Sequence, residues 1–150
     1  MRDAYVRDAF AKQTFMAMLG ATLARVEPGL VEIQLVCQPA LAQHTGVVHA
    51  GVVTAIVDSA CGFAAATMMR DEQEVVSVEF KVNLLAPATG DSLKAIGRVV
   101  RAGRTLTVCA GEVWAISGAE SALVALMQAT MMGVTPSPRG SGRNKRVSGG

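Results

Sequence analysis

Aromatic side chains are scarce in this chain: one Trp, one Tyr and four Phe among 150 residues, although 51% of the residues are apolar. The bulk of any core must come from Ala, Val, Leu and Met, and the length is enough for one domain with a real core. Cysteine is sparse too. Cys37, Cys61 and Cys109 are odd in number and far apart, so neither a disulfide framework nor a metal or redox spacing is present, and the expectation is three reduced, buried thiols. Net charge is low and unevenly placed. Of the +2 total, +4 lies in the tail on Arg139, Arg143, Lys145 and Arg146, which leaves −2 on the rest. That balance lacks the basic footprint that duplex nucleic acid requires. The first ten residues mix acids and bases without an apolar run, so no signal peptide is expected and the cytoplasm is the default location. No glycine-rich phosphate loop follows a strand pattern, and no metal or cofactor is expected.

What the chain does have is a long apolar stretch with one charge inside it. From His44 through Met69 the sole Asp, Glu, Lys or Arg is Asp58. Ala50 to Met69 is about 20 residues, enough to consider a membrane span. Its apolar residues are largely Ala, however, and Asp58 near the centre costs about 2.5–3.5 kcal/mol on insertion. The stretch is therefore expected to be a buried helix of a globular domain, with no membrane partner.

Local patterns supply the rest of the organisation. Asp3 is expected to cap a first helix running to about Leu19, with Phe10, Phe15, Met18 and Leu19 on its apolar side and Gly20 at its end. Thr22–Val26 and Leu30–Val36 flank Pro28-Gly29 as a hairpin. Gln38–Val48 reads as a loop before the long helix. After a polar break at Arg70–Glu74 the period changes to two, with Val76, Val78, Phe80, Val82 and Leu84 on one face and Ser77, Glu79, Lys81 and Asn83 on the other. That pattern predicts a half-buried strand. Pro87 and Gly90 mark a turn, and Ser92–Arg101, Thr105–Ala115 and Ser121–Met132 follow as strands at hairpin spacing. The expected fold class is α+β: one antiparallel sheet, its last four strands a meander, wrapped around one long central helix. Residues 1–134 form that domain, and 135–150 are expected to be a disordered basic tail.

A buried carboxylate can serve structure by bonding a hydroxyl or a backbone group. Two features favour chemistry instead. The helix start at Ala50-Gly51 offers free N–H groups and the positive dipole end to a developing oxyanion, and Gly46, Gly51 and Gly62 leave room for close approach. Ala50 and Asp58 are eight residues apart, about 12 Å along a helix, so one reacting carbonyl cannot meet both within one chain. They share a substrate if a second copy of the helix lies antiparallel beside the first, which gives a two-fold dimer with two identical sites. His44 or His49 with Cys61 fails as a thiol nucleophile, because Cys61 lies about three turns beyond His49.

The ordered set Gln43-His-Thr-Gly46, His49-Ala-Gly51, Asp58, Val76 to Ala88 and Arg101-Ala-Gly-Arg104 resembles the PaaI-like hotdog-fold acyl-CoA thioesterases over roughly residues 20–133. The resemblance implies a single hotdog domain and a dimer, often paired into a homotetramer. It also implies hydrolysis of a small aliphatic or aryl acyl-CoA to acid and CoA. Carried over by position, Asp58 is the general base or nucleophile, the Ala50 N–H polarises the thioester carbonyl across the dimer, Gln43 places water or substrate, and Ser77 orients the water. His49 and Gly51 lie at the substrate, with His49 also read as a structural loop-to-helix residue. Arg101 and Arg104 fit CoA phosphates, against solvated edge charge as the plainer reading. Two positions depart from the family pattern: Ala50 replaces the middle Gly of His-Gly-Gly, and Gln43 stands where Asn is common. Two other activities remain open on a hotdog fold. A non-hydrolytic acyl-thioester binding module would not depend on Asp58. A hydroxyacyl-thioester dehydratase usually has a His base in the central-helix region, where this chain carries Asp58.

Overall fold

The long apolar run folds as a helix in the computed structural model, which describes residues 2–136, but the helix ends at Ala66 and Thr67–Met69 form a turn. In chain order the elements are α1 (Asp3–Ala11), α2 (Thr14–Leu19), β1 (Ala21–Glu27), β2 (Leu30–Val36), a 3-10 turn (Pro39–Leu41), α3 (Ala50–Ala66), β3 (Glu74–Leu84), β4 (Ser92–Ala102), β5 (Leu106–Ser117) and β6 (Glu120–Val134). The strands make one six-stranded antiparallel sheet in the order β1-β2-β4-β5-β6-β3. Helix α3 packs across it, mainly on β4, with β2, β5, β3 and β6 around it. The expected disordered tail begins at Thr135, and from residue 137 on it lies outside the described residues.

Burial follows period two on the strands beneath the helix. Val31, Ile33 and Leu35 of β2, Leu93 and Ala95 of β4, Cys109 and Val113 of β5, and Ala125, Met127, Ala129 and Met131 of β6 are all buried against α3. At the centre, Gly97 of β4 and Gly111 of β5 are direct cross-strand partners. A Cβ on Gly97 would lie 2.3 Å from the Ala60 carbonyl carbon and 2.4 Å from the Cys61 nitrogen. One on Gly111 would lie 2.5 Å from a Val57 methyl. The two glycines form a depression that seats the helix, the close backbone approach that glycine within a strand signals.

Several expectations need correction. The first helix is two, broken at Lys12–Gln13. Asp3 is the first residue of α1, not its cap; the N-cap is Arg2, which makes no side-chain cap hydrogen bond. The break turns Phe15 and Met18 outward, 51% and 73% exposed, while Val6, Met16 and Leu19 are buried. Gly20 does end α2, with φ of 72°.

The last four strands are not a meander: β4, β5 and β6 are, but β3 pairs with β6 at the far edge. The link from β3 to β4 therefore crosses three strand spacings, about 14 Å, and its seven residues at roughly 3.3 Å each are long enough. Strand β3 is also not half-buried. Val76, Val78, Phe80 and Leu84 are 39–54% exposed, because the outer edge of β3 has no strand beside it among the described residues. Finally, its alternation breaks at a bulge. Ser77 pairs with Met131 and Glu79 with Thr130, so Val78 is the extra residue. Before it Val75 and Ser77 face the helix, and after it Phe80, Val82 and Leu84 do.

The N-terminal segment is tied down by Arg2. Its guanidinium donates to the carbonyl oxygens of Ala66 (3.3 Å), Asp71 (3.3 Å) and Gln73 (2.9 Å) and lies 3.7 Å from the Tyr5 ring centroid. The Tyr5 hydroxyl in turn donates to Glu74. One buried cation thus closes the C-terminal end of α3 and holds α1 against the start of β3.

Candidate active site

The β3 bulge puts Ser77 opposite the lone charge of α3. The Ser77 hydroxyl donates to Asp58 Oδ1 at 2.8 Å and lies 3.4 Å from Met131 Sδ. Burial pushes the Asp58 carboxyl above its ordinary range, and the Ser77 hydrogen bond works against that rise. The carboxylate is half-buried, and cavities flank it. One of about 100 Å³ lies between Asp58, Gly62, Phe63, Gln13, Val75 and Ser77, and one of about 390 Å³ runs beneath Thr14–Met16. An accessible carboxylate with a raised pKa, held by a hydroxyl and open to a cleft, is able to take a proton or attack a carbonyl.

The helix start is built separately. His49 is the N-cap of α3: its Nδ1 accepts from the Gly51 N–H at 2.8 Å, and its own N–H donates to Leu41 O at 2.9 Å. Its carbonyl takes the Val52 and Val53 N–H groups. Gly51 is needed for this cap, because a Cβ there would press on the His49 ring at 3.0 Å. Among the described residues nothing accepts the Ala50 N–H, so this donor at the positive end of α3 stays available to a ligand. It lines a cavity of about 560 Å³ with Gln43, Val53, Leu84 and Pro87. Gln43 closes a tight turn, its N–H donating to Val47 O and its carbonyl accepting from Gly46, and its side-chain amide donates to Thr45 Oγ1 at 2.8 Å.

The predicted residues therefore form two constellations within one chain. Asp58 and Ser77 make one; Gln43, His49, Ala50 and Gly51 make the other, about 12 Å away along the helix. Arg101 and Arg104 belong to neither. Arg101 is exposed on β4, and Arg104 borders a cavity at the opposite end of α3 with Met68, Arg70 and Gln73. Thiol chemistry is disfavoured: burial raises Cys61 far above its ordinary value and pushes Cys109 up to about 11. No group of metal-ligating side chains occurs among the described residues, and no helix there is long and apolar enough to cross a membrane. Gln13 escaped the sequence reading. It lines the small cavity at Asp58 only because the chain breaks between α1 and α2.

Residues 45–122 match the family model described as the thioesterase superfamily. The chain belongs to that superfamily. A thioesterase family protein from Silicibacter pomeroyi is 44% identical and superposes with a TM-score of 0.85, covering 87% of this chain and 96% of that one. The PaaI protein of the E. coli phenylacetic acid degradation operon is 17% identical with a TM-score of 0.76, over 89% and 91% of the two chains, and shares the fold. A Saccharolobus solfataricus protein whose name carries a provisional esterase assignment is 28% identical over 90 residues. That match spans 60% of this chain and 64% of the relative, under two thirds of its length. The superfamily domain here is the single hotdog domain expected: an antiparallel sheet around one central helix.

Proposed function

We propose that the chain is an acyl-CoA thioesterase whose two constellations meet across a homodimer. The observation that carries this reading is the unpaired Ala50 N–H on the same helix as the Asp58–Ser77 pair, about 12 Å apart. One thioester cannot touch both in one chain, but it can if α3 of a partner lies antiparallel. The outer edge of β3, which no strand among the described residues pairs with and which carries exposed apolar side chains, supports such pairing, since an exposed edge strand is a template for another chain. Two such dimers pairing into a homotetramer is the assembly the family resemblance suggests, and the whole of the proposed chemistry is placed within residues 1–134, in the cytoplasm.

In this mechanism the thioester carbonyl oxygen accepts the Ala50 N–H of one subunit, which stabilises the tetrahedral oxyanion. Asp58 of the other subunit takes a proton from water as that water adds to the carbonyl carbon, with Ser77 and Gln43 holding the water or substrate in line. The C–S bond breaks as the oxyanion collapses, the CoA thiolate takes up the proton from Asp58, and free acid and CoA leave. Direct attack by Asp58 reaches the same products through an anhydride that water then opens. His49 and Gly51 keep the oxyanion donor in place, and Arg101 and Arg104 are the candidates for CoA phosphates.

Complementation tests the reading. Asp58→Asn removes the base, and Ala50→Pro removes the N–H, at the first helical position where Pro fits. Each homodimer is expected to release CoA at least about 10²-fold more slowly than wild type. A mixed dimer of the two variants contains one site with Asp58 and Ala50 both intact and regains about half the activity per dimer. Absence of recovery in a verified mixed dimer defeats the cross-subunit site. Wild type that binds acyl-CoA without releasing CoA replaces the enzyme with a binding module.

A further inference from the structure

Glycines Gly97 and Gly111 are explained by contact, because any side chain there would strike α3. Gly62 is different. It is buried in the interior of α3, yet a Cβ added there meets nothing within 4 Å. Protein interiors are close-packed, and glycine weakens a helix relative to alanine. Gly62 therefore withholds a side chain from a space that has room for one. That space is the cavity of about 100 Å³ beside Asp58.

Gly62 is four residues beyond Asp58, one turn along the same helix face. The cavity is lined by polar groups at Gln13, Asp58, Ser59 and Ser77, with Asp58 and Ser77 bonded to each other, and by the apolar Val75 and Phe63 beside Gly62. Phe63 is braced edge-on by Phe10 at 5.8 Å between ring centroids. A thioester carbonyl placed at Asp58 would direct its first acyl carbons along α3 toward Gly62. One helical turn is about 5.4 Å, the length of roughly four chain carbons. The volume is below the ~150 Å³ of an apolar cavity known to take benzene, which favours a slim aliphatic chain over an aryl ring.

We propose that the space at Gly62 is the acyl pocket, that it selects straight-chain acyl groups of about four carbons, and that the absent side chain at Gly62 sets its depth. The proposal deepens the thioesterase reading and rests on it.

The test compares wild type and Gly62→Ala on acetyl-, butanoyl-, octanoyl- and benzoyl-CoA, reading kcat/KM by CoA release and folding by Tm. Wild type is expected to favour butanoyl-CoA. The added methyl displaces about one methylene, so the acetyl-to-butanoyl ratio of kcat/KM should rise by about 10–200-fold, with Tm unchanged or higher. An unchanged ratio overturns the proposal. So does an equal loss on all four substrates, which would assign the space to the attacking water, and so does a wild-type preference for the octanoyl or benzoyl group. If wild type hydrolyses none of them, that failure belongs to the thioesterase reading. Pocket depth is then read from binding of the non-hydrolysable ethyl and butyl thioethers of CoA, and affinities that keep the same ratio in Gly62→Ala overturn it.

Discussion

Replacing Gly97 by Ala tests what positions α3, and therefore Asp58. The new methyl carbon would sit 2.3 Å from the Ala60 carbonyl carbon and 2.4 Å from both the Ala60 oxygen and the Cys61 nitrogen, where ordinary contact begins at 3.4 Å. The shortfall is about 1 Å against helix backbone, which cannot rotate away as a side-chain tip can. The helix must lift or tilt by about that much. Overpacking of this kind typically costs 1–3 kcal/mol, and backbone contact places it at about 3. A gap of 0.5–1 Å forfeits roughly a quarter to a half of each dispersion contact it opens. Reduced entropy of the unfolded chain returns about 0.4–1 kcal/mol. The net loss is about 2–3 kcal/mol out of a total of roughly 5–15, or about 4–12 °C in Tm for a domain of this size. The same shift pulls Asp58 from Ser77, now at 2.8 Å, and a 1 Å misplacement at a reacting centre can cost about 10² in rate. Thermal and urea unfolding with a CoA-release assay measures both, and Gly62→Ala serves as the control for added helical stability. Gly97→Ala within 1 °C of wild type, with full activity, would refute the seating of the helix on this glycine.

Three further outcomes are expected. Asp58→Asn should be more stable than wild type at pH 8: the folded carboxyl is raised, chiefly by burial, so wild-type stability is full below the unfolded value of about 3.9 and falls as pH rises through the raised one. The Tm gap should close as pH drops through that window, and a gap constant from pH 3 to 8 contradicts it. His49→Ala removes the cap on Gly51 and should cost about 0.5–2 kcal/mol, whereas His49→Asn, a good N-cap, should restore both Tm and rate; restored Tm without rate would show that His49 also contacts substrate. Arg2→Ala leaves the carbonyls of Ala66, Asp71 and Gln73 without their charged donor and should lower stability by about 2–3 kcal/mol, with Arg2→Lys recovering less than half because the fork geometry is lost.

Much of the site is legible in the sequence. The lone Asp58, the free N-terminus of its helix and their spacing all follow from helical geometry. Ser77 was not legible from periodicity, which put it on the polar face with Glu79 and Lys81; only the bulge at Val78 turns it toward Asp58. Gln13 was hidden for a similar reason, since its place beside Asp58 depends on a helix break that no Gly or Pro marks. The seats at Gly97 and Gly111 did carry a signal, glycine inside a strand pattern, but that signal does not say which element comes close.

By itself the sequence determined the elements whose causes are local: the start and course of the Ala-rich helix, the Pro28-Gly29 hairpin, the strands ending at glycine turns, and one charge isolated among apolar neighbours. Propensity, capping and periodicity act over a few residues, and they can be read in order along the chain. Tertiary structure alone decided that β3 leaves its neighbour in sequence to pair with β6, that no strand among the described residues covers its outer edge, and which way Ser77 points. Those outcomes are set by which strands and helix compete for the same buried surface, and that competition is between residues far apart in sequence.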